Sequence, residues 1–152
     1  NQRQFYNIKD INISGNTNNL SMYIKKLENS DKNNEFINNT WENTEFNFDN
    51  LKSYRIYSNQ NCIWKIDGIL YNILPDTPLG IIKNQWNYVS SIVIKYILQF
   101  LKISEGSIIK SQYEYCFIKT SPHNDLLSPV CYGNLKNIVL YKGYKLYEHL
   151  LE

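Results

Sequence analysis

The chain has 152 residues, a formal net charge of +2, and 43% hydrophobic and 14% aromatic residues. That length fits a single core domain, and the apolar content excludes wholesale disorder. The near-neutral charge excludes a strongly polybasic nucleic-acid or membrane-surface protein.

Alanine is absent, while asparagine, isoleucine, lysine and tyrosine are abundant. These four are read from A/T-rich codons, so part of the bias records a genome rather than a function. Asparagine is uneven: 14 of the 22 precede residue 51. Asn favours turns and caps because its side chain competes for nearby backbone hydrogen bonds. Residues 1–50 therefore read as an Asn-rich, loop-rich N-terminal region, and residues 51–152 as a compact domain.

In chain order, Leu20, Tyr23, Ile24 and Leu27 have helical spacing, with Asn18 or Asn19 as N-cap. Residues 54–57 and 62–66 read as strands. Asp67-Gly68 then forms a hairpin turn into a third strand at 69–73, because a type I′ turn needs positive φ at both central residues. Pro75 and Pro78 end that meander. Between 83 and 102 the polar positions Asn84, Asn87, Ser91, Lys95, Gln99 and Lys102 recur every three or four residues, which predicts one amphipathic helix. Its apolar side then carries Trp86, Val89, Val93, Ile97 and Phe100. After a turn at Gly106, residues 108–119 alternate as a half-buried strand. A loop follows at 120–134, and a terminal helix is expected over 144–151. The fold class expected is α+β: a small antiparallel sheet, a three-strand meander plus a later strand, covered by one amphipathic helix. The alternative is a partly open β-barrel, with 88–103 as a strand.

No stretch reaches the roughly 18 apolar residues of a membrane-spanning helix; the best run, 92–101, is interrupted by Lys95 and Gln99. No signal-peptide pattern is visible, which fixes no compartment. The three cysteines are too sparse for a disulfide-stapled small secreted domain, and this leans toward an intracellular setting.

Chemistry has few foci. Ser121, His123 and Asp125 lie within five residues, but adjacent loop positions do not aim a nucleophile, a base and an orienting acid at one another. A thiol enzyme would use Cys131 or Cys116 with His123 or His149 as base and Asp125 or Asn124 orienting it. Cys62, Cys116, His123 and Cys131 make a Cys₃His zinc set, though without the close Cys-x₂₋₄-Cys pair that presents two thiolates together. No Gly-rich phosphate loop occurs, and no cofactor is implied.

By elimination the chain reads as a non-catalytic protein-interaction module or a subunit of a larger assembly. Trp41, Tyr141, Tyr144 and Tyr147 are its candidate anchors, since large amphipathic rings dominate interface energies. The alternative partner is nucleic acid, held by Lys136, Lys142 and Lys145 among the same tyrosines.

Overall fold

The structure, a computed structural model, describes residues 5–28, 33–67, 73–101, 103–120, 129–140 and 142–150. The chain divides into two compact units, Asn1–Tyr71 and Asn72–Glu152. The composition step at residue 50 falls inside the first.

The first unit is built from short strands: β1 (Phe5–Asn7), β2 (Asn12–Gly15), β3 (Met22–Lys26), β4 (Asn33–Ile37), β5 (Thr40–Trp41), β6 (Asn47–Asp49), β7 (Tyr54–Ser58) and β8 (Cys62–Lys65). They form three antiparallel sheets: β1 with β6, β2 with β8, and the four-stranded order β5-β4-β3-β7. The helix expected over 20–27 is instead strand β3. Leu20, Met22 and Ile24 alternate into the core, and the same apolar residues satisfy a period of two as well as a helical one. The expected meander is also overturned. β7 and β8 exist, but β7 pairs with β3 and β8 with β2 rather than with each other. The Asp67-Gly68 turn and the third strand fall largely outside the described residues.

Asparagine here makes turns and caps between strands. Asn38 and Asn39 both have positive φ, 54° and 62°, where Ile37 faces Thr40 across the β4–β5 hairpin. Asn tolerates this left-handed backbone better than most residues with a Cβ. Asn34 is buried, and its side chain bonds three backbone groups: it donates to Asn43 O (2.7 Å) and accepts from Asn43 N (2.8 Å) and Glu35 N (3.1 Å). Ile8, Ile11, Ile24 and Phe46 form one core cluster, and Leu20, Met22 and Phe36 a second.

The second unit comprises β9 (Trp86–Ser90), α1 (Ser91–Phe100), β10 (Ile108–Lys110), β11 (Tyr115–Thr120), β12 (Pro129–Tyr132) and β13 (Gly143–Tyr147). Its five strands form one antiparallel sheet, ordered β12-β11-β10-β13-β9. The segment 83–102 thus holds a strand, Trp86–Ser90, followed directly by a helix, Ser91–Phe100. Asn84 and Asn87, which complete the helical stripe in the sequence, have other duties. Asn84 sits at φ 60° in a turn, while Asn87 is buried and bonds Ile82 N (2.9 Å) and Ile82 O (2.8 Å). Segment 108–119 is a hairpin of two strands, closed by Ser111 N donating to Glu114 O (2.9 Å). The expected loop contains β12, and the expected terminal helix is β13.

The helix-covered sheet is therefore not the architecture. Sheet is spread over four small antiparallel sheets, none of which closes into a barrel among the described residues. The helix spans ten residues and packs mainly on β9 and β13, burying Val93, Ile94 and Ile97. No helix among the described residues is long and apolar enough to cross a membrane.

Candidate functional site

Alternation along the five-stranded sheet sends Val89, Tyr144, Leu146, Ile109, Cys116 and Ile118 into the core. The residues between them face outward. Strand register then fixes which outward residues are neighbours. Trp86 faces Tyr147, Tyr147 faces Ile108, Ile108 faces Phe117, and Phe117 faces Tyr132. One apolar row thus crosses all five strands, four of its five members aromatic. At about 4.8 Å per strand it is roughly 19 Å long. A solvent-facing sheet surface is ordinarily polar, yet Trp86 is 36% exposed and Tyr132 47%.

A second row lies beside the first: Tyr88 faces Lys145, Lys145 faces Lys110, and Lys110 faces Tyr115. The lysines reach over the rings. Lys145 Nζ lies 4.6 Å and Lys110 Nζ 5.8 Å from the Trp86 ring centre. At the other end Lys119 Nζ lies 5.7 Å from Phe117 and 5.5 Å from Tyr132. Among the described residues, the outward positions of these strands carry no carboxylate.

Polar contacts hold this face in place. Asn87 also donates to Gln85 O (3.0 Å) and Leu146 O (3.2 Å), fixing the start of β9 and with it Trp86. Asn84 donates its N–H to Glu148 O (2.8 Å) and accepts from Leu150 N (2.9 Å), which seats Tyr147 beside Trp86. The two rings meet at 5.6 Å, edge to face. Ser107 Oγ accepts from His149 N (3.0 Å), and Ser104 Oγ donates to His149 O. At the far edge Asn134 Oδ1 accepts from Tyr115 N (2.8 Å). A Cys116–Cys131 disulfide, with a Cα–Cα distance of 5.3 Å, ties β11 to β12.

The residues singled out in the sequence scatter. Tyr147 and Lys145 lie on the outward face. Tyr144 is a core side chain, 2% exposed, whose hydroxyl accepts from Val139 N (2.9 Å). Trp41 packs on Phe36 at 5.0 Å and Trp64 at 6.0 Å in the first unit. Lys142 is ion-paired with Glu114 at 3.1 Å, and Lys136 Nζ donates to Gly133 O at 3.2 Å. Tyr141, His123 and Asp125 lie outside the described residues. Within the disulfide neither Cys116 nor Cys131 is a thiol nucleophile or a thiolate ligand. Cys62 belongs to the first unit, a free thiol 3.7 Å from Met22 Sδ. Among the described residues no three His, Cys, Asp or Glu side chains group as a metal site.

Alternation in the sequence already puts Lys110 on the polar side of its strand, but Trp86, Phe117 and Tyr132 did not stand out as surface rings, nor Lys110 and Lys119 as the cations beside them. Parity within each strand was the available signal, usable only once the strand limits are known. The chain matches no family model, no curated protein and no solved structure.

Proposed function

We propose that this chain is a non-catalytic binding module whose working surface is the outward face of the five-stranded sheet. The row from Trp86 to Tyr132 is the observation that carries this reading. Each partly exposed ring forgoes about 25 cal/mol per Å² of apolar surface left in water. Contiguous exposed apolar surface on a soluble domain marks an interaction site. Cross-strand aromatic pairs also stabilise a sheet, so the test must separate binding from folding.

Replacing Trp86, Phe117 and Tyr132 together by Thr keeps β propensity on outward positions. Immobilised wild-type and triple-variant chains are exposed to a cell extract. Retained protein is identified by mass spectrometry and retained nucleic acid by extraction. The expected result is a folded variant, checked by circular dichroism, that loses what the wild type specifically retains. A folded variant retaining the same set overturns the proposal.

A further inference from the structure

We infer that the ligand of this face is single-stranded nucleic acid, an inference that rests on the binding-module reading above and names its partner. The first support is a charge arrangement that the sheet alone does not favour. Lys110 and Lys145 stand directly opposite each other on neighbouring strands, and like charges so placed destabilise a sheet. The ion pairs among the described residues involve neither of them. An anion lying over the β10–β13 pair removes that repulsion.

The second support is the kind of cation. Protein interfaces enrich arginine and deplete lysine in their buried centres. This face carries Lys110, Lys119 and Lys145, and the two arginines of the chain, Arg3 and Arg55, belong to the first unit. The excess charge follows the same division. Residues 1–71 hold eight basic and eight acidic side chains, and residues 72–152 hold eight and six.

Spacing is the third. Two ring-and-ammonium stations stand apart on the face: Trp86 with Lys145 and Lys110, and the Phe117–Tyr132 pair with Lys119. Trp86 and Phe117 are three strand steps apart, about 14 Å. A single strand laid across the β-strands stacks one base on each station and passes its phosphates over the lysines between them. Stacking on aromatic faces beside cations holds single strands without reading their sequence. A base taking the Trp86 ring displaces the Lys145 ammonium toward a phosphate, which its flexible stem permits. A duplex hides its base faces and leaves the aromatic row unused.

The test is fluorescence anisotropy of labelled oligothymidylate and oligouridylate, each about 12 nucleotides long, with the whole chain. Binding is expected at low salt for one or both, weakening on a log–log plot with a slope near 2 if three phosphates are contacted. Trp86→Thr and Tyr132→Thr each weaken binding about tenfold. Lys110→Gln with Lys145→Gln lowers the salt slope by about 1.4, the share of two phosphates. A duplex of equal length binds more weakly than the single strand. Absence of any anisotropy change at low salt overturns the inference, as does binding that Trp86→Thr leaves intact, which marks mere charge attraction. If oligonucleotides fail while the triple Thr variant still loses a protein in the capture experiment, this inference falls and the binding module stands. If neither readout responds, both fall.

Discussion

Lys110→Gln offers the sharpest test of the charge argument because it predicts a gain in stability. Lys110 and Lys145 occupy opposed positions on β10 and β13. At a separation of about 7 Å, any two ammonium groups repel by about 0.6 kcal/mol at the dielectric constant of water. That agrees with the roughly 0.2–1 kcal/mol known for cross-strand pairs. Lys110 is the right partner to remove, since its Nζ lies 5.8 Å from the Trp86 ring centre against 4.6 Å for Lys145. The closer and stronger cation–π contact is therefore kept. The variant should raise the midpoint of thermal unfolding of the second unit by about 2–4 °C at low ionic strength. Trp86 is the reporter, being the only tryptophan of residues 72–152. In about 1 M salt, where the screening length falls to about 3 Å, the gain should vanish. A destabilised variant, or a gain that salt does not change, would show that Lys110 and Lys145 do not repel across β10 and β13.

Further outcomes follow from single contacts. A Cβ on Gly133 would lie 2.2 Å from Tyr115 O at φ +144°, whereas at Gly15 the nearest contact is 3.6 Å at φ +100°. Gly133→Ala should cost about 2–4 kcal/mol in urea unfolding and Gly15→Ala about 1–2 kcal/mol; equal costs would show that β12 does not approach β11 this closely. Asn34→Ala strips partners from three backbone groups and should cost about 2–3 kcal/mol. Asn47→Ala, which removes one exposed bond to Asn7 at 2.9 Å, should cost under about 0.5 kcal/mol in the same assay. Alkylation of the unfolded chain should label one thiol, Cys62, before treatment with a dithiol and three after it. Three labelled thiols before reduction would contradict the Cys116–Cys131 link.

Strand positions were partly legible in the sequence and strand pairing was not. Segments 54–57 and 62–66 are strands, as their β-branched and aromatic residues imply. Their partners β3 and β2 lie tens of residues earlier in the chain, and nothing local encodes so distant a pairing. Residues 83–102 misled because Asn84 and Asn87 supplied the first turn of an apparent helical stripe. One is a left-handed turn residue and the other a buried hydrogen-bonding hub, roles that periodicity counts as solvent exposure. The helical reading placed Trp86 and Val89 on one face. In a strand, an odd separation puts them on opposite faces, so Val89 is core and Trp86 is surface. The same parity separates Tyr144, buried, from Lys145 and Tyr147. A helical reading of 144–151 had made Tyr144 and Tyr147 equivalent anchors. Asparagine before residue 51 was correctly a sign of turns, but those turns join β-strands rather than mark a region poor in structure.

An NMR titration of the isotope-labelled whole chain with oligothymidylate reads the outward face of the five-stranded sheet residue by residue. Oligothymidylate is expected to shift the Trp86 indole N–H and the backbone amides of the outward row on β9, β13, β10, β11 and β12, with Trp41 and Trp64 of the first unit unmoved. Shifts centred on the first unit, or none at the Trp86 indole, would contradict single-strand binding at this face.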